Sequence, residues 1–481
     1  MVYDSTSEKV LSLTQSEHDL ISRPDGTREQ LSSWWLDALV DCFSRIPCEI
    51  RRRIEAVGVS GQQHGFVPVG ADGEVLYPVK LWCDTSTTAE CRELTAALGG
   101  RESLIERTGN EIKTGYTAPK VLWFKKNHSD LYGKMRWIML PHDWINFVLT
   151  GEASMEYGDA SGTAFFDVKR REWSDDVLSA IDGSRDLRES LPPLRSPESL
   201  AGYVCENASR LLDIPSGIPV STGGGDNMMG AVGTGTVSDG DLTMSMGTSG
   251  TLYGVSDTPV TDRKGRLASF CSSTGLWLPL LCTMNCTVSS EVTRALFNRD
   301  IAAFNDMASA APIGSEGVCM LPYFNGERTP DYPKGRGCLF GFTLSNMKEE
   351  NIARSAMEAS VFALMYGLDA FVELGFKPKK VTLTGGGSRS ALWRRMVADV
   401  TGLTVGIPEN PEAAAFGAAL QALYVLEKEK GSVKSISEIT SRHVKMDEEK
   451  TCTASPEAHE EYLKVYEQWL RYVKAAASLF S

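Results

Sequence analysis

The sequence predicts an α/β protein built as two large domains, and three observations carry that expectation. A chain of 481 residues is too long for one compact core. Apolar extended runs that end in glycines recur at 218–225, 242–250 and 380–387, the last opening directly into a helical pattern at 391–400. Long apolar or amphipathic stretches with helical spacing alternate with them, at 353–374 and 456–476.

Composition narrows the partners. A net charge of −13 disfavours nucleic acid or an anionic membrane as the main partner, and the one basic triplet, Arg51-Arg52-Arg53, reads as solvated. Eleven cysteines, scattered without metal-ligand spacing, fit reduced thiols in a cytosol-like compartment, so cytoplasm is the expected location. The closest pair, Cys282 and Cys286, has no second Cys or His pair near it and reads as buried structural thiols. No stretch is expected to be long and apolar enough to span a bilayer, and the longest apolar helix candidate, 353–374, carries Arg354, Glu358 and Asp369. There is no signal-peptide pattern at the start, where residues 1–5 and 8–13 read as the tail of one strand, a turn and the next strand.

In chain order, a helix is expected over 25–43, with Trp34, Trp35, Ala38, Leu39 and Cys42 on one face. A strand at 56–60 then exits into Gly61-Gln62-Gln63-His64-Gly65. Two amides and an imidazole at a strand exit offer donors and acceptors to a polyhydroxylated ligand, a satisfied structural histidine being the alternative. A second strand, 66–69, leads through a hairpin-type turn at 71–73 to 78–84. There Trp82 and Asp84 could serve a sugar or simply cap the helix at 85–97. Thr117 and Pro119 open a packing helix at 115–127 with Lys120 and Trp123 on one face. The apolar helix at 142–149 and the turn at 159–163 carry no assigned chemistry. A linker is expected at 430–441, ahead of the C-terminal helix.

The chemistry concentrates in Thr222-Gly223-Gly224-Gly225-Asp226-Asn227 and Ser245-Met246-Gly247-Thr248-Ser249-Gly250. In the first, glycines free the backbone at a strand end and hold one carboxylate at the turn. In the second, a strand exits into a turn whose N–H groups and hydroxyls suit phosphate oxygens. A carboxylate base and a phosphate cradle together suggest phosphoryl transfer, two ordinary glycine turns being the alternative. The strand–glycine–helix unit at 380–400 adds a place for a nucleotide.

Together, Gly-Gly-Gly-Asp-Asn at 223–227, Gly-Thr-Ser-Gly at 247–250 and Gly-Gly-Gly-Ser at 385–388 resemble the FGGY carbohydrate kinases, whose first signature pattern residues 115–127 match in full. Gly-Gln-Gln-His-Gly at 61–65 resembles the sugar loop of the branch that phosphorylates D-xylulose. So do Leu81-Trp82, residues 159–163 and residues 326–330. The resemblance implies two ribonuclease H-like domains of the actin/hexokinase ATPase type with a cleft between them, 1–240 binding sugar and 241–481 binding nucleotide. It implies Asp226 as the base, with Gln63, His64 and Asn227 holding the sugar. Gly247 and Thr248 would contact the ATP phosphates, and Gly385, Gly386 and Gly387 would lie along the adenosine. Mg²⁺ would bridge the phosphates, with no residue assigned to it. The implied reaction is ATP-dependent conversion of D-xylulose to D-xylulose 5-phosphate, and a homodimer is an open expectation. The sequence departs from the family at Cys83, Thr85-Ser86 and Phe342. It also has no opening strand with Asp-x-Gly-Thr, residues 1–4 matching the strand after it. That departure raises a competing expectation, a sugar-binding protein with weak or no phosphoryl transfer; a kinase for another sugar of the family is the third.

Overall fold

The computed structural model describes residues 1–480, which fold as two compact units. The first comprises Met1–Val237, Asp257–Leu278 and Glu412–Val444, and the second Ser238–Ser256, Pro279–Pro411 and, of the described residues, 445–480. The expected boundary at 240/241 therefore falls close to the first crossing, but the chain returns to the first unit twice.

Both returns have a physical cause. Small residues let the helix Ala413–Glu429 lie backbone to backbone on the helix Asp226–Gly233: a Cβ on Gly233 would sit 1.8 Å from the Ala413 carbonyl oxygen, and one on Gly417 1.8 Å from that of Met229. Met229, Val232, Phe416, Leu420, Tyr424, Ile436 and Ile439 close a core around that crossing. The expected linker at 430–441 accordingly contains a helix, Ile436–His443, started by a capping box in which Ser435 and Glu438 each bond the other's backbone N–H. The other return is tied by polar groups, since Asn110 donates to the Ser269 carbonyl at 2.7 Å and accepts from its N–H at 2.8 Å.

In the first unit the sheet pieces are short. Ser60–Gly61 runs parallel to Gly224–Gly225, Val67–Gly70 antiparallel to Met135–Met139, and Arg28–Gln30 antiparallel to Val79–Lys80. This last pairing explains why the first long helix covers only Ser32–Ser44 rather than starting at 25: residues 28–30 are drawn into a ladder with 79–80. Of the expected 56–60 strand, Ser60–Gly61 forms, with Val57 bridged to Val220. Val67, Val69, Val79, Leu81, Met139, Trp144, Leu149 and Val220 make the main core. The helix Thr117–Asn127 forms with Thr117 as its first residue and Pro119 in its first turn, but Tyr116 stands at the N-cap and no side chain caps it, the Thr117 hydroxyl donating to the His64 carbonyl instead. At the chain start, Val2–Asp4 pairs antiparallel with Lys9–Ser12, and the Tyr3 ring meets Phe416 edge-on at 5.0 Å.

The second unit centres on a five-stranded sheet ordered Leu280–Thr283, Gly250–Gly254, Asp241–Met246, Lys380–Thr384, Val405–Gly406. The first two pairings are antiparallel and the last two parallel. Its central helix, Glu349–Glu373, corrects one expectation, being long and apolar enough to cross a membrane. It is a buried core helix, however: the Arg354 guanidinium inside it donates to Glu358, to the Ala311 carbonyl and to the Tyr462 hydroxyl.

Candidate active site

Asp226 is the first residue of the helix Asp226–Gly233, a position where the exposed N–H groups favour a carboxylate. Its Oδ1 accepts from the Asn227 backbone N–H at 2.9 Å and from the Asn227 side chain at 3.2 Å. The group has solvent-accessible surface, yet the protein around it strips enough hydration, with Asp159 adding a like charge, to push its carboxyl up to about 6.

The glycines before it are needed for close approach. Gly223 has φ +70°, and a Cβ there would lie 2.5 Å from the Val59 carbonyl oxygen. At Gly225 a Cβ would stand 2.6 Å from Gln63 Cγ, so the bare backbone makes room for that amide. Gln63 is buried, its Oε1 accepts from Asn227 Nδ2 at 2.8 Å, and its Nε2 has no hydrogen-bond partner. The structure therefore brings Gln63, Asp226 and Asn227 together, with one amide donor uncommitted.

His64 is next to them in sequence and takes a left-handed backbone, φ +63°. Its ring packs on Tyr116 and Phe270, at centroid distances of 4.8 and 5.6 Å, and lies over Gly162, where a Cβ would come within 2.2 Å of it. The two other sugar-side candidates divide. Trp82 is 48% exposed, whereas Asp84 is fully buried. Asp84 accepts from the Arg28 and Ser86 N–H groups and pairs with Lys80 at 3.3 Å, which commits it to structure.

Behind the glycine turn stands a buried polar cluster that sequence reasoning missed. The imidazole of His142 bonds Asp159 Oδ2 through Nδ1 at 3.2 Å. Its Nε2 lies 2.9 Å from Asp143 Oδ1, an ion-pair approach without hydrogen-bond alignment. Burial opposes charge on this ring, but the flanking carboxylates of Asp143 and Asp159 outweigh it and hold the pKa well above 6.5. Glu156 caps the Tyr157–Ala160 helix by accepting from the Gly158 and Asp159 N–H groups, and burial pushes its carboxyl up to about 7. Asn146 ties the cluster to the turn by donating to the Thr222 carbonyl at 2.7 Å. The available signal was polar side chains, His142, Asp143 and Asn146, inside an otherwise apolar helix.

In the second unit, the parallel strands Asp241–Met246 and Lys380–Thr384 run in register with Ser245 opposite Thr384. Both exit into glycines at the same sheet edge, where open α/β sheets bind ligands. Gly247 and Thr248 form the first exit, their carbonyls accepting from Thr287 and Cys286 N–H groups at 3.0 and 2.9 Å, while the side chains of Thr248 and Ser249 face solvent. Gly385 forms the second, with φ +82° and a Cβ position 2.6 Å from the Met246 carbonyl oxygen. Gly387 is buried against Met246 and Trp393, and Gly386 is open, with nothing within 4 Å of its Cβ position. The five predicted nucleotide residues thus share one edge. Glu327 does not join them: its buried carboxylate accepts from the backbone N–H groups of Met284 and Arg328 and from the Asn285 side chain. Among the described residues no group of His, Cys, Asp and Glu is arranged to hold a metal, and all eleven cysteines are free.

Comparison with known proteins gives a consistent result. The model of the FGGY family of carbohydrate kinases, N-terminal domain, matches residues 1–233, and that of the C-terminal domain matches 242–426. The chain is 39% identical to a xylulose kinase of Haemophilus influenzae, over 98% of this chain and 96% of that protein. It is 31% identical to a xylulose kinase of Escherichia coli, over 95% and 94%. The crystal structure of a xylulose kinase from Bifidobacterium adolescentis superimposes with a TM-score of 0.82 at 28% identity, covering 96% of both chains.

Proposed function

The chain belongs to the FGGY family of carbohydrate kinases, and on that premise we propose that it transfers the γ-phosphoryl group of ATP to a hydroxyl of D-xylulose, giving D-xylulose 5-phosphate and ADP. The relatives named above are xylulose kinases, which supports the sugar and weighs against a binding protein without phosphoryl transfer.

The observation that carries the reading is the arrangement of Gln63, Asp226 and Asn227, a carboxylate beside an uncommitted buried amide donor. The Gln63 Nε2 donates to a sugar hydroxyl, which gives that buried N–H the partner it lacks. A second hydroxyl donates to the Asp226 carboxylate. As its oxygen forms the new bond to the γ-phosphorus and the bond to the ADP oxygen breaks, the proton passes to Asp226. A base with its pKa near 6 is ionised at neutral pH yet basic enough to take that proton. His64 closes the sugar side. In the second unit, the Gly247 N–H is given to the Ser249 carbonyl at 3.1 Å, so at the Gly247-Thr248 turn it is the exposed hydroxyl of Thr248 that suits phosphate oxygens, and the side-chain-free edge of Gly385, Gly386 and Gly387 suits the adenosine. Mg²⁺, when bound, would neutralise phosphate charge, and no residue of this chain is assigned to hold it. The reaction requires a compartment with ATP, and free cysteines throughout are compatible with the cytoplasm.

The test is ADP release by the purified chain with D-xylulose, other ketoses, polyols and gluconate. We expect D-xylulose to exceed every other acceptor by about tenfold or more in kcat/KM, a margin that polar-group recognition supplies. ADP release that no acceptor accelerates refutes the proposal, and a D-xylulose-induced rise in melting temperature without turnover assigns binding alone.

A further inference from the structure

We infer that Lys120 is a positioning residue for sugar binding, clamping the backbone of His64 so that its ring is presented to the ligand; this rests on the proposed role of His64. Lys120 lies in the first turn of the helix Thr117–Asn127 and is wholly buried. Its ammonium donates at 2.7 Å to the carbonyl of His64 and at 2.7 Å to that of Gly115. The Thr117 hydroxyl donates to the same His64 carbonyl at 3.1 Å. Two side chains one helical turn apart thus converge on one carbonyl oxygen 56 residues distant from Lys120 in sequence.

That carbonyl belongs to a residue that needs holding. A histidine at φ +63° occupies a backbone region L-residues leave readily, and rotation of the peptide would swing its ring out of the slot formed by Tyr116, Phe270 and Gly162. Gln63, one residue earlier, is fixed by Asn227, so the clamp and that hydrogen bond grip both ends of the Gln63–His64 segment. Packing alone does not call for an ammonium here. Burial pushes the Lys120 pKa down to about 7 against the opposing influence of Asp84, Cys83 and Asp159, with Lys80 acting in the same direction as burial. No carboxylate lies within salt-bridge distance of it among the described residues, so its donors are spent on backbone carbonyls. A leucine or methionine would fill the same space at less cost.

The test is a double-mutant cycle of Lys120→Met and His64→Ala, read as KM for D-xylulose, KM for ATP and kcat. We expect Lys120→Met to raise the sugar KM about tenfold with the ATP KM within about twofold, and to raise it less than about twofold when His64 is already Ala. An equal rise in both backgrounds, or no rise beside a His64→Ala protein whose KM has risen, overturns the clamp. A His64→Ala protein with unchanged sugar KM overturns the sugar role of His64 and the clamp with it. Thr117→Val, which removes only the second donor to the same carbonyl, provides the same cycle if Lys120→Met does not fold, with an expected rise of about threefold.

Discussion

Gly225→Ala isolates the geometry of the sugar side more cleanly than removal of any side chain. Gly225 has φ −61° and ψ 155°, a conformation alanine adopts freely, so the substitution introduces no backbone strain. It introduces one methyl group, 2.6 Å from Gln63 Cγ and 3.1 Å from both Gln63 Cδ and Met228 Sδ. Contacts below 3 Å force a shift, and the side chain that can yield is Gln63, whose Oε1 then leaves the 2.8 Å bond from Asn227. Overpacking of this kind costs about 1–3 kcal/mol, and loss of one oriented polar contact to the sugar, at about 1.4 kcal/mol, corresponds to about tenfold in affinity. The assay is KM for D-xylulose and for ATP in the ADP-release reaction, with the melting temperature as control. The expected result is a sugar KM raised about tenfold or more and an ATP KM unchanged, because the methyl touches only first-unit side chains. A Gly225→Ala protein with wild-type sugar KM refutes the assignment of Gln63 to the sugar.

Three further outcomes follow from the same structure. Because the Asp226 carboxyl is raised to about 6, the base is protonated below that pH and ionised above it; kcat/KM is expected to fall on the acid side, reaching about a tenth of its plateau at pH 5, and a profile flat to pH 5 contradicts this. Gly385→Ala combines φ +82° with a 2.6 Å approach to the Met246 carbonyl and is expected to raise the ATP KM and lower the melting temperature, whereas Gly386→Ala, with open space around its Cβ position, changes neither. Lys80→Met leaves Glu29 and Asp84 as buried carboxylates that have lost a partner at 3.0 and 3.3 Å, and is expected to destabilise the first unit by about 3–5 kcal/mol in thermal or denaturant unfolding.

Local signals in the chain were enough to place the glycine turns. Residues 222–227 and 384–388 read as strand exits from their three glycines in a row, and 245–250 from an apolar alternation that runs into Gly-Thr-Ser-Gly; each sits at a strand end in the structure. The helix Thr117–Asn127 was equally legible from its threonine and proline start. Domain membership was not: whether the helix Ala413–Glu429 packs on the first or second unit depends on Gly233 and Gly417 meeting facing carbonyls, a contact between positions far apart in sequence. The same limit hid the polar cluster of His142, Asp143, Glu156 and Asp159, since each member looks like an ordinary cap or helix residue until tertiary packing buries them together. Lys120 was visible only as one face of a packing helix, because its acceptor is a carbonyl 56 residues away. The short first helix records a competition that periodicity alone does not reveal, residues 28–30 being drawn into a strand by Lys80 and Val79.

The most direct test of the central claim is turnover by Asp226→Asn, which keeps the shape and removes the base. If Asp226 accepts the sugar proton, kcat with D-xylulose falls by about 10²–10⁴-fold while D-xylulose still raises the melting temperature, because Gln63, His64 and Asn227 remain. An Asp226→Asn protein that turns over within tenfold of the unaltered chain contradicts the account.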